Sequence, residues 1–359
     1  PVAFHIEARG EANSEHIHID KVNALIGSAT AQFNGTINLP PNLSAENVNL
    51  DLRGNRLSDL GTIEGWQVSD VPFSMTATMS GAENIIAVKD LNLTLGPNDL
   101  QGHITVDATA KLHVDFVFNS HNIELGSILI REQEDALSDV NSESDTLGDG
   151  RLIPDLQLPF DVLNRFDARV KLNIDRIQRR NNVLTNVSVD TRLEDGTLDA
   201  YKIYAKTDHG YIDASMQIQP TDQTHDLRLK LTARDAQLAW INLSAADNKL
   251  YRGHNIDLLF TSQGDNLRDI AAGLNGFIWL RGSERHIENI GLGALFGGFF
   301  SELLNIINPF VKKDPYTTLE CDRVFFEAEN GILQTSPTIL FRTDKLNIMS
   351  TGSVNLADE

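Results

Sequence analysis

The chain contains one cysteine, Cys321, among its 359 residues. A single cysteine cannot form an intramolecular disulfide, so a disulfide framework is excluded and the redox compartment is left open. Basic residues are also scarce, because 30 lysines and arginines are set against 50 acidic residues and leave a formal charge of −20. This charge would repel a phosphate backbone and argues against a nucleic-acid partner. It also argues against electrostatic docking on an anionic membrane, but not against apolar contact with lipid.

Catalytic signatures are missing as well. The sequence has no Gly-x-Ser-x-Gly elbow, no phosphate-binding loop ending in Gly-Lys-Ser/Thr and no His-Glu-x-x-His. Segment 291–297 imitates a dinucleotide-binding loop, but Phe296 replaces its third glycine and core packing explains it better. His16, His18 and Asp20 could hold a metal, but we favour the polar face of a strand. We therefore predict a protein that is not an enzyme and that uses no metal or cofactor.

Alternation of apolar and polar residues with a period of two is the dominant pattern in the sequence. Apolar residues occupy every even position from Ile104 to Phe118, and the same pattern recurs over 166–174, 212–218 and 227–233. Such alternation places all apolar side chains of a strand on one face. Turn signals separate the runs, namely Asn34-Gly35, Asp195-Gly196, Gly264-Asp265 and Asn330-Gly331. We predict an all-β fold, an elongated and curved antiparallel sheet with a groove-like or taco-like form and few short helices.

The amino-terminal part repeats itself. Segments in 22–61 recur in the same order in 91–126, and Gly27 and Gly96 occupy equivalent positions roughly 70 residues apart. Residues 131–151 are acidic and serine-rich without an apolar stripe, which predicts a flexible loop. The expected organisation is a β-repeat region at 1–130, the loop at 131–151 and a carboxy-terminal β region at 152–359.

One segment has helical periodicity. We predict an amphipathic helix over 288–308, ended by Pro309. Glu302 would cost about 2.5 to 3.5 kcal/mol inside a bilayer, so a helix that plugs an end of the sheet is favoured over one that contacts the membrane. Its apolar residues are Leu292, Leu295, Phe296, Phe299, Leu303 and Ile306.

The alternating apolar face has two interpretations that physics alone leaves equal. Either two sheets close on each other as a sandwich, or the face remains open and holds an apolar ligand. The residues predicted to line such a groove are Ile104, Val106, Leu112, Val114, Phe116, Phe118, Val170, Leu172, Ile174, Ile212, Met216, Ile218, Leu227, Leu229 and Leu231.

A set of motifs in the carboxy-terminal half resembles a known family. The segments 274–280, 317–322, 329–333 and 352–356, in this order after 154–172, resemble the closing region of AsmA-like proteins. The resemblance covers 150–359 well and the amino-terminal repeats more loosely. It implies a relative of bridge-like lipid transfer proteins, located in the periplasm of a Gram-negative cell envelope. It also implies an inner-membrane anchor, which we expect outside these residues because Val2 to Ile6 alternate like a strand.

The resemblance and the alternation together predict a function. The expected function is to carry phospholipid or another acyl-chain lipid along an apolar β-groove between membranes, in support of outer-membrane biogenesis. The alternative is a periplasmic scaffold that binds an envelope protein and assists the assembly of outer-membrane proteins.

Overall fold

The computed structural model describes residues 4–39, 43–60, 67–68, 70–127, 129–130, 153, 156–179, 182–236, 253–282, 284–288, 316–344 and 347–358. The chain divides into two compact units, one formed by 1–150 and 159–202 and the other by 151–158 and 203–359. The predicted loop at 131–151 lies outside the described residues, and so does the predicted helix apart from Glu288, which ends a strand.

Strands dominate both units, which confirms the predicted all-β, mainly antiparallel fold class. The strands that lie wholly in the first unit are β1 (Phe4–Ala12), β2 (His16–Ile26), β3 (Ala29–Asn38), β4 (Ser44–Gly54), β5 (Gln67–Val68), β6 (Phe73–Ala82), β7 (Ile85–Leu95), β8 (Asn98–Asp107), β9 (His113–Ser120), β10 (Ile123–Glu124), β11 (Leu129–Ile130), β12 (Asp167–Arg179) and β13 (Asn182–Glu194). Strand β14 (Thr197–Lys206) contains the point at which the units divide. Short 3₁₀ helices span Leu57–Leu60 and Phe160–Asn164.

The second unit continues the same architecture. Its strands are β15 (Tyr211–Pro220), β16 (His225–Ala236), β17 (His254–Gln263), β18 (Asn275–Gly282), β19 (Arg285–Glu288), β20 (Tyr316–Glu329), β21 (Ile332–Thr343) and β22 (Asn347–Asn355). The helix α1 (Leu267–Ala272) lies between β17 and β18, and its N-cap Asn266 accepts a hydrogen bond from the Asp269 amide. The described residues contain no other α-helix.

The first unit is an antiparallel meander that ends in parallel pairings of β12 with β9 and with the short strand β10. Strands β1, β2, β3, β4, β6, β7, β8 and β9 pair in succession. Strand β12 then pairs with β9 in parallel and with β13 in antiparallel orientation. A parallel neighbour needs a long connection, and the stretch from 121 to 166 provides it.

The ladder of the second unit is antiparallel throughout its described pairs. Strands β15, β16, β17, β18, β20, β21 and β22 pair in that order, and β19 pairs with β20 beyond the end of β18.

The long alternating run from Ile104 to Phe118 is not one strand, so that part of the prediction is wrong. Strand β8 ends at Asp107 and β9 begins at His113. The Asp107 carboxylate accepts hydrogen bonds from the amide (2.9 Å) and the hydroxyl (2.6 Å) of Thr109, which starts a turn. Alternation continues through the turn because each even residue of β8 pairs with an even residue of β9, as Ile104 does with Phe116.

The four turn signals have different outcomes. Asn330-Gly331 has positive φ at both residues and joins the antiparallel strands β20 and β21 as predicted. Asp195-Gly196 also has positive φ at both residues and lies between β13 and β14. Gly264-Asp265 precedes α1 and not a strand. The prediction of a turn at Asn34-Gly35 is wrong, because both residues lie within β3 at a bulge. A Cβ on Gly35 would lie 2.4 Å from the Val48 Cα, so this glycine permits a close approach of strands.

Candidate lipid-binding faces

An unbroken row of apolar residues crosses the first unit. Directly paired residues of neighbouring strands project to the same face of a sheet, so the pairing register shows which side chains lie together. One row takes a residue from each strand of the meander and then from β12 and β13. Its members are Ala12, Ile17, Ile37, Ala45, Gly81, Ile86, Val106, Val114, Ala168 and Leu193.

Parallel rows widen this surface. The next row is Val48, Met79, Val88, Ile104, Phe116 and Val170, and it ends at Thr191 of β13. The row after that is Leu91, Gly102, Phe118, Leu172 and Val189. We call these three rows the first apolar face.

The first apolar face brings together most residues predicted in this unit. Ile104, Val106, Val114, Phe116, Phe118, Val170 and Leu172 belong to its rows, and Ile174 pairs with Val187 beside them. Leu112 is the exception, because it lies in the turn between β8 and β9 with 41% of its surface exposed.

The opposite side of the same strands is polar. A row with one residue on each strand reads Glu7, Asn23, Gln32, Asp51, Thr76, Asn92, Gln101, Asn119, Asn173 and Ser188. Neighbours in this row bond to each other where they can, as the Asn173 amide does when it donates to Asn119 Oδ1 at 3.2 Å. The first unit is therefore a two-faced sheet, with apolar and polar rows on opposite sides.

The first apolar face is covered unevenly. Four of its large side chains are buried, namely Val48, Ile86, Leu91 and Leu193. The bulky residues Val114, Phe116, Phe118, Val170 and Leu172 keep intermediate exposure. The core of a β-sandwich buries such side chains between two sheets. The part of the face formed by β9 and β12 is therefore the part that is incompletely covered.

The second unit has an apolar face of its own. Its longest row is Met216, Leu229, Phe260, Gly276, Ala328, Leu333 and Val354. A neighbouring row is Ile212, Ala233, Ile256, Leu280, Val324 and Ile339, and another is Ala214, Leu231, Leu258, Ile278 and Phe326. Ile218 pairs with Leu227 at the end of these rows. All six residues predicted in this unit lie on this surface, which we call the second apolar face.

Beta-bulges interrupt neighbouring strands of the first unit at corresponding places. Register shifts occur at Asn34/Thr36, Ala45/Val48, Thr76/Thr78 and Val88/Leu91. Each bulge bends its strand and increases the local twist. Adjacent bulges therefore bend this part of the first unit in a concerted way without breaking the apolar rows.

The described cavities do not coincide with the predicted lining of the first unit. A cavity of about 530 Å³ lies at the bulge around Asp90, where Lys89, Asn92, Gln101 and His103 give it a polar wall. These residues belong to the polar side of β7 and β8. The apolar faces are thus identified by register and exposure, and not by an enclosed volume.

An aromatic cluster that was not predicted from the sequence lies on the side of the second unit opposite the second apolar face. The Trp279 and Phe325 rings meet edge to face at 6.1 Å, and Phe277 and Phe325 stack at 6.2 Å. The Arg281 guanidinium lies 4.4 Å from the centre of the Trp279 ring and also bonds to Asp257 at 2.5 Å. The alternation of Phe277 and Trp279 within 274–280 was a visible signal for this cluster.

No metal site is formed by the histidines near the amino terminus. His18 contacts Thr36 at 2.7 Å and Asp20 at 3.3 Å, while His16 contacts Asn13 at 3.2 Å. Within the described ranges no group of three or more His, Cys, Asp or Glu residues is arranged to hold a metal ion.

None of the helices that the structure describes has the length and apolar character needed to cross a membrane. Comparisons with protein-family models, curated proteins and solved structures found no match to this chain.

Proposed function

We propose that this protein binds the acyl chains of phospholipids, or of a similar lipid, on its apolar sheet faces and carries them between membranes. The observation that supports this most strongly is the first apolar face, on which the large side chains of Val114, Phe116, Phe118, Val170 and Leu172 are incompletely covered. Water in contact with such a surface is unfavourable, and each CH₂ group of a ligand removed from water there contributes about 0.8 kcal/mol. An acyl chain is the simplest ligand that satisfies a wide aliphatic surface.

The composition of the first apolar face favours a ligand that can move along the row of apolar residues. The row from Ala12 to Leu193 contains no polar side chain to fix a ligand in one orientation. Strands in a sheet lie about 4.8 Å apart, so this row follows a path of about 43 Å. A chain moving along such a path exchanges one aliphatic contact for the next and never crosses a polar barrier.

The cellular setting of the proposal comes from the resemblance to AsmA-like proteins. In that setting the chain works in the periplasm and is anchored to the inner membrane by a segment outside these residues. It would take phospholipid from one membrane towards the other and so maintain the outer membrane.

Lipid that copurifies with the protein tests the proposal. Native mass spectrometry of the purified protein should detect bound phospholipid, and Leu172→Glu and Val114→Glu should each remove most of it because a carboxylate on the face must be desolvated next to an acyl chain. The matched controls are Asn173→Glu and Gln101→Glu, which add the same charge to the polar side of β12 and of β8, the neighbour of β9. Circular dichroism should show that all four variants keep their strand content.

The result that would overturn the proposal is an unmutated protein without bound lipid that also fails to take up phospholipid from vesicles. If the variants on the polar side lose as much lipid as those on the first apolar face, a specific role for the first apolar face is likewise excluded.

A second function is favoured by the exposed edge strand β1. All nine of its residues are exposed, and Phe4 and Ile6 leave 74% and 56% of their surface accessible. Exposed apolar side chains of this kind can contact the surface of an envelope protein during outer-membrane assembly. Deletion of 1–12 should then abolish partner binding without reducing the lipid content. The lipid-carrier proposal instead expects the lipid content to fall when Leu172 is replaced by glutamate.

A further inference from the structure

The strand β22 ends the ladder of the second unit and is unusually unprotected. Within the described residues it pairs only with β21, and every residue from Met349 to Val354 is exposed. Its nine residues, Asn-Ile-Met-Ser-Thr-Gly-Ser-Val-Asn, include no charge and no proline. Proteins usually guard a sheet edge with charged residues, proline or bulges, because its free amides and carbonyls are a template for another strand.

The edge strand of the first unit shows the contrast. Strand β1 carries His5, Glu7, Arg9 and Glu11 at alternating positions and has a bulge between Arg9 and Gly10. These are features that discourage edge-to-edge pairing. Strand β22 carries no charge, and the register shift in its ladder lies between Thr335 and Ile339 of β21.

The sequence of β22 is symmetric about Thr351 at its two ends, where Asn347 mirrors Asn355 and Ile348 mirrors Val354. Reading outward from Thr351, Ser350 corresponds to Gly352, Met349 to Ser353, Ile348 to Val354 and Asn347 to Asn355. Two copies of such a strand can pair antiparallel about a two-fold axis with Asn347 opposite Asn355 and Ile348 opposite Val354. In this two-fold pairing each contact occurs twice, and only Thr351 meets its own counterpart.

The faces also match in this arrangement. Val354 belongs to a row of the second apolar face through Leu333, and Ile348 pairs with Phe341 on the same side of β21. In an antiparallel pair of two β22 strands, Ile348 of one copy lies opposite Val354 of the other, on one face. The apolar face of one copy then continues into the apolar face of its partner.

We propose that β22 is a dimerisation edge, at which two copies of this chain pair their β22 strands antiparallel with Thr351 on the two-fold axis. The dimer does not depend on the lipid-carrier function, but its consequence rests on that function, because it would lengthen the surface available to acyl chains. One pair of strands buries less than the roughly 1,200 Å² of a typical stable complex, so the dimer should dissociate on dilution.

Sedimentation and light scattering of the unmutated chain from about 1 to about 200 µM test this proposal. We expect a monomer–dimer equilibrium in which Thr351→Lys raises the dissociation constant by about tenfold or more, because two lysines then lie directly opposite each other. Thr351→Ser should leave it unchanged, and so should His5→Lys, which adds the same charge to the other edge strand.

A thiol cross-linker of short span fixes the register in a Cys321→Ser background. Thr351→Cys should link to itself, and a mixture of Asn347→Cys and Asn355→Cys chains should link to each other. Asn347→Cys alone should not, because its symmetry mate lies eight residues, or about 26 Å, along the partner strand. The proposal would be overturned if the chain is a monomer over the whole concentration range. It would also be overturned if Thr351→Lys leaves the dimer unchanged and the cross-links form at other positions. Neither result alters the lipid content on which the proposed function depends.

Discussion

At the scale of single residues, asparagine and aspartate occupy backbone positions with positive φ, where most other residue types would be strained. Asn47 and Asp90 have φ values of 52° and 49° and lie in the bulges of β4 and β7. The side chain two residues later closes each bulge, since the Asn49 amide donates to the Asn47 carbonyl at 2.9 Å and the Asn92 amide donates to the Asp90 carbonyl at 2.8 Å. The left-handed conformation suits these residue types better than most others.

A substitution at Asn47 measures this preference. Asn47→Ala should lower the free energy of unfolding by about 1 kcal/mol, because alanine is strained at positive φ, while Asn47→Gly should be close to neutral. Urea denaturation followed by circular dichroism gives both values. Asn34→Ala, on the neighbouring strand without positive φ, is the control, and a loss there as large as at Asn47 would show that strain is not the cause.

The pair formed by His121 and Asp99 should make stability depend on pH. Burial would raise the pKa of Asp99, but hydrogen bonds from the amide and ring of His121 and from the Asn122 amide outweigh it and lower that pKa. The pKa of His121 is raised, chiefly by its hydrogen bond and charge interaction with Asp99. The Asp99 contribution is present above its unfolded pKa of about 3.9, and the His121 contribution is present below its unfolded pKa of about 6.5.

The two contributions therefore coexist at about pH 5 to 6 and are lost in opposite directions. The His121 contribution disappears as the pH rises through its raised folded pKa, and the Asp99 contribution disappears as the pH falls through its lowered folded pKa. His121→Gln should reduce the urea midpoint at pH 5.5 and change it less at pH 9. A difference that stays constant between these pH values would mean that the ion pair does not stabilise the fold.

At the scale of strands, glycines allow neighbouring backbones to approach closely. A Cβ on Gly102 of β8 would lie 2.1 Å from the carbonyl oxygen of Val117 in β9, whereas a Cβ on Gly126 would meet nothing within 4 Å. Gly102 also belongs to the first apolar face, between Leu91 and Phe118. The close contact of β8 with β9 thus requires a residue without a side chain at position 102, in the middle of the first apolar face.

Gly102→Ala should destabilise the protein by about 1 to 3 kcal/mol, since the added methyl group displaces backbone and not a flexible side chain. Gly126→Ala should change the free energy of unfolding by less than about 0.5 kcal/mol. Equal effects in a urea titration of the two variants would contradict the close approach of β8 and β9.

At the scale of the whole chain, the charge of −20 bears on the proposed lipid function. If the apolar faces bind acyl chains as we propose, they would not distinguish head groups, and the surrounding electric field would. A negative field disfavours an anionic head group, and salt screens the interaction over about 10 Å at 0.1 M.

Competition between two phospholipids tests this effect. At low salt the protein should take up phosphatidylcholine in preference to phosphatidylglycerol with matched acyl chains, and the preference should shrink at high salt. Quantitative mass spectrometry of the bound lipid after incubation with mixed vesicles measures it. A preference that does not change with salt would assign the selectivity to local contacts instead of net charge.

The turn that divides the run from Ile104 to Phe118 could not be seen in the alternation of apolar and polar residues. The alternation did determine the fold class and the two-faced character of the sheet, because a period of two fixes the side of each residue without knowledge of its neighbours. It even carried traces of the bulges, since the apolar positions of β7 change from even at Ile86 and Val88 to odd at Leu91 and Leu93. Only the tertiary structure decided which strands lie side by side, including the parallel pair of β9 and β12. It also decided which residues of the apolar faces are buried and that Trp279 belongs to an aromatic cluster on the opposite side of the second unit. These features depend on contacts between residues far apart in the chain, and a local period contains no information about such partners.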